Sequence, residues 1–157
     1  MSFDPVIKRG LRVLAMPGAQ EATDEPSDTG SDIATLQGLF DDHVDFQFLT
    51  PGWNEKTGEN AVDVKSTKAR ARKLRNWVKA RGEKEVVLVS HGRFAHFLTG
   101  DVDEEGNQTT GWWINDEFRT FTFAEEDNKE ANIKETEESK SRRAKMEREK
   151  TEKSVGQ

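Results

Sequence analysis

Four consecutive apolar residues, Val86-Val87-Leu88-Val89, run straight into Ser90-His91-Gly92. An unbroken aliphatic run of this length describes a parallel strand covered on both faces, and such a strand requires helices above and below it. A strand over 85–90 is therefore predicted, with a turn at His91-Gly92. Phe94, Ala95, Phe97 and Leu98 then suggest a helix beyond the turn. The rest of the chain fits this demand. Leu11, Val13, Leu14 and Ala15 close at Pro17-Gly18, which predicts a strand over 11–16. Phe118, Phe121 and Phe123 predict another over 117–123, and Val44, Phe46 and Phe48 alternate as in a short extended piece. A helix over 31–40 would use Ser31 or Thr29 as its cap and gather Ile33, Leu36, Leu39 and Phe40 on one face. A second helix, over 62–81, has Leu74, Trp77 and Val78 as its apolar stripe and Gly82 where a C-terminal cap belongs. Its cations, Lys68, Arg70, Arg72, Lys73, Arg75 and Lys79, are expected to form a solvated face. Helices lying between strands make the fold class α/β with a mainly parallel sheet.

Composition changes abruptly after Ala124. Beyond it acidic and basic residues nearly balance, and Ile133, Met146 and Val155 are the only larger apolar side chains. Such a stretch buries too little surface to offset its ordering entropy, although Glu, Lys and Arg are good helix formers. The expected organisation is one domain over 1–124 and a charged helical or disordered tail over 125–157 that packs little against it. The tail explains why the whole chain is only 32% hydrophobic and 34% charged.

The net charge of -6 argues against nucleic acid as a partner, because that affinity comes from clustered cations. The chain has no cysteine, which excludes disulfides, thiolate metal sites and cysteine nucleophiles. No apolar run is long enough for a membrane span, and the first residues do not read as a secretory signal. A cytoplasmic protein is the default expectation.

The chemistry concentrates at His91. Ligands of open α/β sheets bind beyond the carboxyl ends of strands, where a following helix offers free N–H groups to an anion. A histidine there can bond a phosphate oxygen or move a proton near neutral pH, and Gly92 lets the backbone come close. The competing reading is a turn histidine bonded to the backbone. Glu21 follows the strand expected over 11–16, so it could reach the same sheet edge and act as general acid. An ordinary loop glutamate is the competing reading. Ser90 and His91 are adjacent and cannot face each other as nucleophile and base. His91 and His96 lack the spacing of a helical metal pair, and His43 sits in an acidic turn, so neither metal nor cofactor is expected. Trp112-Trp113 reads as packing.

The stretch Val87-Leu88-Val89-Ser90-His91-Gly92 resembles the second histidine motif of the histidine-phosphatase superfamily, which contains the phosphoglycerate mutases. Three other stretches, in order, are similar to a phosphoglycerate-mutase-like subgroup. They are Leu14-Ala15-Met16-Pro17-Gly18-Ala19-Gln20-Glu21, Asp28-Thr29-Gly30-Ser31-Asp32, and Gly111-Trp112-Trp113-Ile114-Asn115-Asp116-Glu117-Phe118-Arg119. The likeness covers roughly residues 3 to 123 and implies a three-layer fold with a mainly parallel sheet. It also implies hydrolysis or transfer of a phosphate ester, the ligand being a phosphorylated small molecule or inorganic phosphate. His91 matches the histidine that holds the phosphoryl group and Glu21 the proton donor, while Gly92 and Arg93 would line the phosphate seat. The family's attacking histidine stands in an Arg-His-Gly motif, and no Arg-His-Gly occurs here. The family's Ser-Pro-Leu-x-Arg arginine has no counterpart either. Phe3-Asp4-Pro5 looks like the stretch that follows both, so the domain is expected to be N-terminally incomplete and inactive as it stands. The expected alternative is a non-catalytic pseudophosphatase that binds an anion or a partner.

Overall fold

The longest well-buried element forms where the periodicity requires it. The helix Val64–Lys79 starts at Asp63, whose carboxylate accepts from the Ser66 amide at 3.0 Å, and it buries Thr67, Arg70, Ala71, Leu74 and Arg75. The computed structural model of the chain describes residues 8–40, 43–125 and 129–155. The segment Phe3-Asp4-Pro5 lies outside them. In chain order the elements are β1 (Val13–Leu14), α1 (Ile33–Phe40), β2 (Val44–Asp45), α2 (Val64–Lys79), α3 (Gly92–Thr99), β3 (Phe121–Phe123), β4 (Ile133–Glu135) and α4 (Glu137–Val155). Short 3-10 turns at Pro17–Ala19, Pro26–Asp28 and Gly58–Asn60 lie between the earlier elements. The fold is mixed α/β.

Its two sheets have two strands each. β1 and β2 pair in parallel, with Val13 opposite Val44, whereas β3 and β4 pair antiparallel, with Phe121 opposite Glu135 and Phe123 opposite Ile133. The core lies between α2 and α3, where Ala71 and Leu74 meet Phe94, Phe97 and Leu98, with Ala22 closing one side. α3 ends at Gly100, whose φ of 80° lets its amide reach back to the carbonyls of His96 and Phe97.

Several expectations need correction. The segment 85–90 forms no strand and joins neither sheet, and among the described residues no backbone–backbone hydrogen bond involves residues 82–90. Leu88 packs against the α2–α3 core, while Val87 is 74% and Val89 58% exposed. The unbroken apolar run predicted cover on both faces, yet helices cover one side only. Asp32, rather than Ser31 or Thr29, caps α1, accepting from the Thr35 amide at 3.0 Å. Gly82 is not the cap of α2, which closes at Ala80 in a right-handed conformation.

The charged C-terminal stretch is helical over α4, and its residues 131–143 bond to the hairpin. The expected boundary at 124/125 falls inside the β3–β4 hairpin, where the Ala124 amide donates to the Asn132 carbonyl at 2.8 Å. Ala131 is fully buried at a φ of 48°, and Ser139 is buried in the first turn of α4. The Ser139 hydroxyl donates to Glu135 at 2.8 Å and accepts from the Thr120 amide at 3.0 Å, and Arg143 pairs with Glu135 at 2.9 Å. These polar links tie α4 to the hairpin. A count of apolar residues could not register them.

Candidate functional site

Ser90, His91 and Gly92 lie where residues 85–90 lead into α3. His91 is the residue immediately before the helix, in an extended conformation (φ -110°, ψ 155°), and its exposed side chain makes no capping bond. The Ser90 hydroxyl donates to the Ala19 carbonyl at 2.6 Å, which fastens the turn to the segment leading to Glu21. Glycine is not forced at position 92: an added Cβ would meet only the Trp113 carbonyl oxygen, at 4.0 Å. Arg93 is exposed.

Glu21 reaches the same place from the other end of the chain. One carboxylate oxygen, Oε1, accepts from the Phe94 amide at 2.8 Å and from the Ala22 amide at 2.7 Å, and Oε2 accepts from the Arg93 amide at 3.4 Å. The structure therefore joins Glu21 to the His91-Gly92-Arg93 turn, and the carboxylate itself occupies the N–H groups of α3. Satisfying orphan amides at a helix start is the work of a cap, here supplied by a residue more than seventy positions away.

Two cations back this arrangement, and both escaped the sequence reading. Arg70, taken for part of a solvated face, is only 4% exposed. Its guanidinium donates to the Gln20 carbonyl at 3.2 Å and the Glu21 carbonyl at 3.3 Å, and its centre lies 4.7 Å from the centroid of the Phe94 ring. Burial pulls its pKa down to about 10, against the opposing charge of Glu21. Lys56 donates to the same Glu21 carbonyl at 3.0 Å. Burial, helped by the charge of Arg70, lowers its pKa below the ordinary lysine value. The sequence carried one usable clue to Arg70: it lies four residues before Leu74, on the same helical face.

The loop preceding the site is also fixed. Trp53 lies over Gly30, where an added Cβ would stand 2.2 Å from the indole ring, so glycine is required there. Asn54 donates to the Gly30 carbonyl at 2.7 Å, and Gln20 and Asn60 both donate to the Trp53 carbonyl. Trp113 stacks on Phe121 and carries the Arg119 guanidinium 3.7 Å from its centroid, so it packs as expected. Trp112 is largely exposed, with its edge toward His96. Among the described residues no cluster of His, Asp and Glu has the makings of a metal site. His43 lines a separate groove of about 1080 Å³ with Arg12, Ile33 and Asp45. Among the described residues no helix is long and apolar enough to cross a membrane.

His96 is a buried polar residue of a different kind. It is 1% exposed, and neither ring nitrogen has a hydrogen-bond partner among the described residues. Burial lowers its pKa below the usual value, with Asp101 opposing, Arg119 and Arg93 adding to the fall, and Glu117 opposing. The unfolded chain then binds a proton more readily than the folded one. The contribution of His96 to stability is thus present above its unfolded pKa, near 6.5. It is lost as pH falls from there through the lower folded value. The melting temperature of the wild type is expected to drop between pH 7 and 5, and His96→Leu, which takes no proton, should flatten that drop. Parallel pH profiles for the two proteins would show that the acid sensitivity lies elsewhere.

Compared with known proteins, the chain matches no family model, no curated protein and no solved structure.

Proposed function

We propose that the chain is a histidine-phosphatase-like domain of phosphoglycerate-mutase type that binds phosphate weakly at residues 91–93 and does not turn phosphate esters over. The observation that carries this reading is the meeting of Glu21 with the His91-Gly92-Arg93 turn at the start of α3. The family resemblance assigns those residues to one site, and they are far apart in sequence. The parallel pairing of β1 with β2 is the one feature of the described sheets that agrees with a sheet of that family's kind. In this reading His91 donates to a phosphoryl oxygen, the 92–93 backbone and Arg93 complete the seat, and Glu21 lies beside it in the family's proton-donor position. No residue matches the attacking histidine, so no phospho-enzyme forms by the family route.

Incubation with an aryl phosphate is expected to give no hydrolysis and no acid-labile phosphohistidine. Inorganic phosphate or vanadate should bind with an affinity in the millimolar range, and His91→Ala should weaken that binding severalfold. Hydrolysis abolished by His91→Ala would show a more complete site, with His91 or another residue attacking phosphorus. Binding indifferent to His91→Ala would remove the central residue from the phosphatase reading. A second reading, a non-catalytic module that binds a partner, is favoured by one feature. Val87 and Val89 stand exposed on a segment whose backbone groups are unpaired among the described residues.

A further inference from the structure

One face of α3 is covered by a stretch of chain that packing alone holds in place. Gly92 and His96 stand four residues apart in the helix, so they share that face. The Trp112 ring meets His96 edge-on, with centroids 6.2 Å apart. The Trp113 carbonyl oxygen lies 4.0 Å from the position a Cβ on Gly92 would take. Residues 110–113 therefore run along the Gly92–His96 face as a strap. Among the described residues no backbone–backbone hydrogen bond involves residues 110–113. The Trp113 ring stacks on Phe121 and under Arg119, which ties the strap to β3 and not to α3.

Beneath the strap lies a ring that is badly placed to carry a charge. His96 is 1% exposed and Trp112 67%, so Trp112 stands on the solvent side of the imidazole. Neither ring nitrogen has a hydrogen-bond partner among the described residues. A neutral imidazole has one N–H to leave unsatisfied, whereas an imidazolium has two and a full charge. The charged groups around the ring do not offset that cost. Asp101 and Glu117 favour the proton, and Arg93 and Arg119 oppose it. The Asp101 carboxylate already accepts from the Thr99 hydroxyl at 2.8 Å. Glu117 accepts from Arg119 at 2.6 Å and from the Ile114 amide at 3.0 Å, and Arg143 lies 3.9 Å from it. α2, packed on the other side of α3, contains no acidic residue, and its Arg70 and Arg75 reach the Phe94 ring and the carbonyls of Phe97 and Leu98.

We propose that residues 110–113 are an acid-released strap, seated on α3 while His96 is neutral and lifted when that ring takes a proton. Lifting lets the imidazolium reach water and bares the Gly92–His96 face of α3. The inference stands apart from the phosphate-binding reading and holds equally for a chain that binds no phosphate. With the strap lifted, the ring titrates as an exposed histidine, near pH 6.5. The ratio of lifted to seated strap then rises about tenfold per pH unit below that value, for as long as the seated ring stays neutral.

The experiment is an NMR titration of the full chain between pH 7 and 5. It follows the ring protons of His96 and, in protein carrying 5-fluorotryptophan, the tryptophan fluorines, with Trp112→Phe to assign the Trp112 signal. That signal is expected to shift with the same midpoint as His96, while Trp53 and Trp77 hold still and the far-UV circular dichroism is unchanged. In His96→Leu it should not titrate. Trp112→Ala, a change at an exposed position, should move the His96 midpoint up toward 6.5. A midpoint unmoved by Trp112→Ala would overturn the strap. So would a Trp112 signal that stays still in the wild type across the range, or one that titrates in His96→Leu as it does in the wild type. A joint change of all the fluorines with loss of circular dichroism would place the acid response in global unfolding, and would overturn it too.

Discussion

Replacing Arg75 with alanine is expected to destabilise the chain by about 3 kcal/mol and to lower its melting temperature by roughly 10 °C. Arg75 is 8% exposed and sits on the buried face of α2. Its Nη1 donates to the carbonyls of Phe97 and Leu98 at 3.3 and 3.1 Å, near the end of α3. Its Nε and Nη2 donate to the Glu130 carbonyl at 3.1 and 3.0 Å. One guanidinium therefore joins α2, the C-terminal end of α3 and the hairpin. Carbonyls at a helix end lack intrahelical partners and carry the negative end of the dipole, so a planar cation suits them. Alanine would leave these acceptors under-satisfied in a dry place and open a cavity beside Leu98. Arg75→Lys keeps the charge but loses the fork geometry, so it should recover only part of the loss. Arg75→Met, which keeps the stem and drops the charge, should lie close to alanine if hydrogen bonding dominates and close to wild type if packing does. An alanine variant melting within a degree of wild type would show these bonds to be worth little.

Arg75 also marks the boundary of what the sequence could disclose. The stripe of Leu74, Trp77 and Val78 located α2 to within two residues at each end, because helical periodicity is a local property. The cations between those residues looked solvated because their partners are carbonyls of residues 20, 21, 97, 98 and 130, which no local pattern announces. Residues 86–89 were misjudged for a related reason. An apolar run measures the wish for cover, and the cover depends on which other segments arrive. Leu88 found it and Val87 and Val89 did not. At the candidate site the sequence reading put His91 and Glu21 at one sheet edge; residues 85–90 join no sheet, and what the structure does is bring Glu21 to the turn that follows His91. That Glu21 would bond the amides of Arg93 and Phe94 was beyond reach, since it depends on the exact approach of two distant segments. His96 stands two residues from both Phe94 and Leu98, off the face they share, so its burial could not be read from that stripe.

Removing residues 130–157 should have the larger effect: a melting temperature lower by well over 10 °C, or no cooperative transition at all. The composition of this stretch suggests a dispensable appendage, and the structure argues otherwise. The deletion takes away β4 and leaves Phe121 and Phe123 on an unpaired strand, where their exposure and the loss of the ladder both count. It removes Ala131 from the buried interior and Ser139 from its bond with the Thr120 amide. It also strips Arg143 from the group in which Arg119 and Glu117 form a buried pair at 2.6 Å. Each loss is on the order of 1 to 2 kcal/mol, and together they approach the whole stability of an ordinary domain. The two predictions are coupled. Because the Glu130 carbonyl accepts two hydrogen bonds from Arg75, Arg75→Ala should cost less in a folded deletion background than in the full chain, by about 1 kcal/mol or more. Thermal and urea unfolding of the four proteins in that cycle would measure it. A deletion that leaves the melting temperature within about 2 °C of wild type would show that the hairpin and α4 contribute nothing to the body's stability.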